Sequence, residues 1–285
     1  MAGPWRTQVR PTPVKTRWCS SSERSEGLSL VEIERIVDLT AERHRDDALL
    51  RALAPDVRRR VGEIWRERAK SELGAWSGFA QVVVGLYSIG ASPEVLALAT
   101  QAAHEEVEHA RACRALAELY LGEAVEMPRP KKVSMPVHRG ATDPLRATLH
   151  ARGLSGINET LAAEFVARCL DASEASAVRE ASQKHLRDEI GHARVGWAHL
   201  ASGALDAADR AAIAEWMPRL VRANGELWLA RVRTLPEEGV ARHGYPPVRE
   251  LEDGVRHALR TVVVPGLAHV GIDATGAARA VAALA

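Results

Sequence analysis

Two stretches, Glu105-Glu106-Val107-Glu108-His109-Ala110-Arg111 and Asp188-Glu189-Ile190-Gly191-His192-Ala193-Arg194, share one pattern, acid-Glu-x-x-His-Ala-Arg. On a helix, positions i and i+3 lie on one face, about 60° apart. Glu106 with His109 can therefore hold one metal ion, and Glu189 with His192 a second. A lone Glu-x-x-His is a weak signal in a chain with 11 histidines. The matching context on both sides of each copy strengthens it. The competing account is two solvated helix faces.

Working outward, the sequence around both copies is helical. Ala, Leu, Arg and Glu dominate, and β-branched runs are short (Val82-Val83-Val84, Val262-Val263-Val264). A first helix is expected over 28–53. Pro55 then opens a long segment to Ser88, as a proline at the first helical position does. Gly90-Ala91-Ser92-Pro93 makes a turn with Ser92 as cap, and a second long helix runs to Leu121. Pro128, Pro130, Pro136, Gly140 and Pro144 mark a long connection. A third helix follows from Asp143 to Leu170, with breaks expected at Gly153 and Gly156. A fourth covers 175–200 and a fifth 206–234. The last fifty residues look less regular, with one helix over 247–259. Two helical hairpins joined by one long crossover is the topology of ferritin-like folds. The expectation is thus an all-α, ferritin-like four-helix bundle with extra terminal helices. Its divisions are a disordered tail over 1–27, the bundle with flanking helices over 28–235, and a C-terminal extension over 236–285.

A di-metal carboxylate site also needs one glutamate from each partner helix. Glu72 lies 34 residues before Glu106, with the Gly90–Pro93 turn midway, so an antiparallel hairpin brings the two level. Glu63 and Glu67 sit farther from level. In the second hairpin the turn near Ala172 favours Glu159, 30 residues before Glu189, over Glu164, 25 before it. His185, one turn before Glu189, is either a seventh ligand or a neighbour of the ligands. His199 reads as packing or support, and His104 as support or surface. Asp188 and Glu105 are placed to serve the histidine of the opposite helix, as ligating histidines require. Carboxylate and imidazole together suit iron or manganese. Gly74, Ala75, Gly78, Gly156, Ala162, Ala163 and Gly191 either leave room for a substrate or permit close helix packing. Trp76, Trp197, Trp216 and Trp228 read as core.

With Glu72, Glu106-x-x-His109, Glu159 and Glu189-x-x-His192 in place, the chain resembles the ferritin-like di-iron carboxylate proteins over about 55–200. "HEEVEHARAC", "GINETLAA" and "DEIGHARVGWAHL" are similar to bacterial ferritin-like domain proteins. His185 adds a His-x-x-x-Glu-x-x-His pattern that resembles the arylamine N-oxygenases. The resemblance implies two iron ions, with manganese as the other loading, held by Glu72, Glu106, His109, Glu159, Glu189 and His192, and by His185 if it ligates. It implies a monooxygenase or oxidase that uses dioxygen and an electron donor on a small-molecule substrate, with N-oxygenation of an amine as the leading reaction. A ferroxidase and a non-catalytic helical scaffold are the competing classes. Iron-storing members usually lack the second Glu-x-x-His. Tyr87, 15 residues from Glu72, is about 22 Å away along a straight helix, too far for a radical partner.

Composition narrows the partners. Lys+Arg is 38 against Asp+Glu 37, a formal net charge of +1, which gives no reason to expect nucleic acid or an anionic membrane. No apolar run is long enough for a transmembrane helix. Residues 1–27 lack the apolar core of a signal peptide. Cys19, Cys113 and Cys169 form no Cys-x-x-Cys, against a disulfide framework or an iron–sulfur centre, so a cytoplasmic setting is expected. A homodimer is allowed. The basic Lys131-Lys132 loop reads as a solvated crossover, with a reductase dock or pocket cover as the alternative.

Overall fold

The computed structural model describes His44 and residues 47–236 and 239–284. The expected 1–27 tail, and the expected first helix before His44, lie outside the described residues. Among those residues the fold is all-helical, and the only β-type pairing is an isolated bridge between Val240 and Tyr245. None of these helices is long and apolar enough to cross a membrane.

A short α1 (Ala48–Ala52) is capped by Asp47, whose carboxylate accepts from the Leu49 N–H at 2.8 Å. α2 (Pro55–Ser88) and α3 (Pro93–Leu121) form an antiparallel hairpin. Pro55 and Pro93 sit in the first turns, where a missing N–H costs nothing. Gly90 turns the chain at φ 73°, a conformation open to glycine. The crossover then runs along α2. Val133 N–H donates to Ser77 Oγ, and Gln81 Nε2 donates to the Val133 carbonyl. Lys131 and Lys132 are exposed.

The third helix does not break at its glycines. α4 (Asp143–Ala151) passes into a π-helical segment (Arg152–Glu159) and then α5 (Thr160–Ala172), with helical backbone across both junctions. Gly153 and Gly156 predict breaks because glycine weakens a helix. A Cβ on Gly156 would instead meet the Arg152 guanidinium of its own rod, and the close approach of α6 (Ser176–Ala201) is made at Gly196. A Cβ on Gly196 of α6 would lie 2.7 Å from the Gly156 nitrogen and 2.9 Å from the Ala151 oxygen. Ser155 fixes this contact. Its Oγ accepts from the Gly196 N–H (2.7 Å) and donates to the His192 carbonyl (2.5 Å). Those are the two groups an undistorted helix bonds to each other, and a side chain inserted between them is a recognised cause of local bending.

α7 (Ala207–Val232) opens with a capping box between Asp206 and Asp209. The C-terminal residues are more regular than the sequence suggested: α8 (Val248–Ala258), a π segment (Leu259–Val263), α9 (Val264–His269) and α10 (Thr275–Ala282). They pack on α5 and α7. Leu259, Val263 and Leu267 join Leu149, Ile157, Leu161, Met217 and Val221 in one hydrophobic cluster.

Two smaller apolar clusters lie along the first hairpin. One holds Trp65, Cys113, Leu116 and Tyr120, the other Phe79, Val82, Leu86 and Val95. Each fully buried large side chain contributes roughly 1.5–3 kcal/mol. On α2 the order Trp65, Glu72, Phe79 places one buried acid between two apolar layers.

Candidate metal centre

The polar layer gathers Glu72, Glu106, His109, Glu159, Glu189 and His192, all buried, whereas His185 is buried outside the converging donor set. Donor atoms of Glu106, Glu159, Glu189 and His192 lie within 4.8 Å of one another, as do those of Glu72, His109 and Glu189, and of Glu106, His109 and His192. α2 supplies Glu72, α3 Glu106 and His109, the π segment Glu159, and α6 Glu189 and His192.

The arrangement is crossed. Glu106 aims Oε2 at His109 Nδ1 (3.7 Å) and Oε1 at His192 Nδ1 (3.2 Å). Glu189 aims Oε1 at His109 Nδ1 (3.8 Å) and Oε2 at His192 Nδ1 (3.3 Å). The sequence assigned each glutamate to the histidine on its own helix. In the structure each serves both histidines, one oxygen apiece. Glu72 then stands with His109, and Glu159 with His192.

The far side of each ring is fixed as the sequence implied. His109 Nε2 meets Asp188 Oδ2 at 3.1 Å, and His192 Nε2 meets Glu105 Oε2 at 3.0 Å. An Nε2–H donated outward leaves the Nδ1 lone pair facing the cluster.

Glu159, not Glu164, enters the layer. Glu164 instead accepts from Arg168 at 2.8 Å. Glu63 and Glu67 pair on the surface with Arg66 and Lys70. His104 is exposed, and His199 is buried against Thr148 (2.9 Å). His185 stands beside the layer. Its ring meets that of His109 edge-on, centroids 4.1 Å apart, and the converging donor atoms include neither of its nitrogens. Both of those nitrogens are buried without a hydrogen-bond partner.

Four further side chains support the layer. Trp228 Nε1 donates to Asn158 Oδ1 (2.8 Å), and Asn158 Nδ2 donates to Glu159 Oε1 (3.0 Å). Arg68 Nε lies 3.7 Å from Glu72 Oε1, and Cys113 Sγ 3.9 Å from the same oxygen. Only Arg68 carried a signal, its i,i+4 spacing to Glu72. Among the tryptophans, Trp228 is buried as expected, whereas Trp76 is 37% exposed.

The electrostatics are those of buried acids and imidazoles that could hold a cation. Burial, with the charges of Glu189 and Glu106, drives the Glu159 carboxyl well above its usual range. Burial also raises Glu72, against the pull of Arg68. Burial alone would lower both histidines. Their acid neighbours outweigh it, Asp188 first for His109, which rises to about 9, and Glu106 first for His192, which rises to about 12. Burial would raise Glu189, but His192 holds it below its usual range. Burial, then the charges of His109 and Arg68, keeps His185 well below its ordinary value, and so neutral. Both oxygens of Glu106, Oε2 of Glu189 and Nδ1 of both His109 and His192 lack hydrogen-bond partners although buried. Orphaned buried acceptors are rare. Four glutamates with neutral imidazoles match the charge of two divalent cations, so the residues fit such a pair.

A cavity of about 50 Å³ opens onto Glu72, Glu159 and Glu189. Ala75 and Ala162 border it, while Gly74, Ala75 and Gly78 border a neighbouring pocket of about 490 Å³. Gly156 serves packing instead, and a Cβ on Gly191 would meet nothing within 4 Å. A scan against protein-family models and searches of curated proteins and of solved structures find no match to this chain.

Proposed function

We propose that this chain is a ferritin-like four-helix di-iron carboxylate protein that uses dioxygen to oxidise a small organic molecule. The observation that carries the reading is the crossed pair, Glu106 and Glu189, each offering one oxygen to each of two histidines. Carboxylates placed in this way suit two ions held side by side. Glu72 with His109 and Glu159 with His192 complete the two seats, and His185 is a neutral imidazole within reach of the first. Iron bound there supplies the redox chemistry that reduces dioxygen, and manganese is the alternative occupant.

The chain's own residues do the rest. Asp188 and Glu105 hold the two rings by Nε2, and Asn158, itself held by Trp228, orients Glu159. Phe79 closes over His192, centroids 5.4 Å apart, and keeps water from that side. N-oxygenation of an amine is the reaction we favour, supported by His185 beside the donor set. An electron donor would complete the cycle.

The test is anaerobic loading with ferrous iron followed by exposure to dioxygen. The expected result is about two irons per chain and a transient visible band, both lost in Glu106→Ala and His192→Ala. No bound iron, or binding unchanged in those variants, sinks the reading. Uptake well beyond two irons per chain replaces it with iron storage.

A further inference from the structure

A groove of about 570 Å³ lies between α3 and α6, on the outer side of the acid layer. Ala112, Ala115, Leu116 and Leu119 of α3 and Ala177 and Ala181 of α6 give it an apolar lining. Glu105 and Asp188 border it, the two acids that hold the histidine rings by Nε2.

The described residues begin at one end of this groove. His44 is buried there, with Nδ1 2.8 Å from Ser176 Oγ and Nε2 3.2 Å from Glu180 Oε2. Glu180 itself lines the groove. Asp47 accepts from the Ser176 N–H at 3.3 Å. Leu50 lies in the same hydrophobic cluster as Leu116, Leu119 and Ala177, with Ala181 packed against it. The chain is thus already anchored at the groove's end, on the apolar surface that lines it.

The sequence before His44 fits the rest of its length. Ser29-Leu30-Val31-Glu32 has the spacing of a capping box. On a helix starting there, Leu30, Ile33, Ile36, Val37 and Ala41 share one stripe. Glu34, Asp38 and Glu42 fall opposite, away from the groove's own acids. Leu30 to His44 spans about 21 Å of helix, and so does Glu105 to Leu119 along α3.

We propose that residues 28–43 of this chain dock lengthwise in the groove, the Leu30 end toward Glu105, and keep water from the outer side of Glu105 and Asp188. The docking does not depend on what the acid layer holds.

Thiol labelling of the full chain tests this. Ala112→Cys and Ala181→Cys are made separately in a chain carrying Cys19→Ser, and reaction with a maleimide is followed by mass against the same chain without them. Each introduced thiol is expected to react slowly, and at least tenfold faster once Ile33→Glu and Val37→Glu are added, with the circular dichroism spectrum unchanged. Glu34→Ala and Asp38→Ala, on the other side of the stripe, should leave the slow rate as it is. Ile33→Cys, Ile36→Cys and Val37→Cys, each paired with Ala112→Cys, are expected to close at least one disulfide within a single chain, since such a bond needs Cβ atoms about 4 Å apart. Fast labelling in the parent, a rate unmoved by Ile33→Glu with Val37→Glu, or no disulfide from any of the three positions overturns the proposal. Protection that rises with protein concentration, with disulfides joining two chains, overturns it too and gives the groove to a second copy.

Discussion

Glu159 and Glu164 lie on one helical rod, and the direction each faces separates a buried donor from a surface ion pair. Spacing carried that choice, because a hairpin aligns residues by their distance from the turn. The two histidines were legible for the same reason, and so were their outer acids, Asp188 and Glu105. Replacing these acids with amides removes the charge but keeps the hydrogen-bonding shape. Asp188→Asn and Glu105→Gln are expected to lower ferrous affinity about 10- to 100-fold, measured by competition with a chelator. Asn158 and Trp228 were not legible, because a bond between residues so far apart in sequence leaves no local pattern. Nor was Arg152. It is fully buried over the Trp197 ring at 3.5 Å, with none of its guanidinium nitrogens hydrogen-bonded, and burial pushes it down to about 9. A buried charge without partners costs stability, and an apolar side chain of similar length does not. Arg152→Met is expected to stabilise the chain by about 1 kcal/mol or more in urea unfolding. Destabilisation by this change would show that the guanidinium holds a partner.

The helices were read to within a few residues from caps and prolines, which act locally: Pro55, Ser92-Pro93 and Asp143-Pro144 each sit where their chemistry starts a turn. The π segment was not read, because its wider turn answers a neighbour. Gly196 lets α6 come against the segment, and Ser155 holds α6 open between His192 and Gly196. Gly196→Ala would drive a methyl group into backbone at 2.7 and 2.9 Å, atoms that cannot turn aside. The expected loss is about 1–3 kcal/mol, read from urea midpoints. Because the same contact seats Glu159 and His192, metal affinity should fall with it. A surface control such as Gly191→Ala, with open space around it, should leave metal binding near that of the parent.

At the scale of the whole molecule, the chain beyond 235 shares its hydrophobic cluster with α5 and α7, which from sequence looked like a loose extension. Its pattern was hidden because Pro, Gly and a π segment interrupt the period. Histidines outside the donor set are buried or half-buried too. His199 and His243 are held below their ordinary value by burial first, and so is His138, with the charges of His150 and Arg146 added. Such a group takes up its proton more readily when unfolded. Its contribution is fully present above the unfolded value near 6.5 and is lost as pH falls through the lower folded value. His109 and His192, raised instead, add stability as pH falls from 7.5 towards 6.5 in parent and variant alike, so the buried neutral histidines are read by difference. Below pH 6.5 the urea midpoint of the parent is expected to fall relative to that of His199→Gln, which cannot charge.

The two seats of the acid layer are not equivalent. Around His192 the Glu106 and Glu189 oxygens stand at 3.2 and 3.3 Å, with Glu159 tied to Trp228 through Asn158 and the helix pinned by Ser155. Around His109 they stand at 3.7 and 3.8 Å, and the companion, Glu72, is shared with Arg68. The tighter seat is the better prepared one, so loading has an order. A first equivalent of cobalt should give one spectrum and a second equivalent another, rather than both growing together. The half-loaded chain is then a single defined species, and the order of addition becomes a way to place two different metals at known addresses.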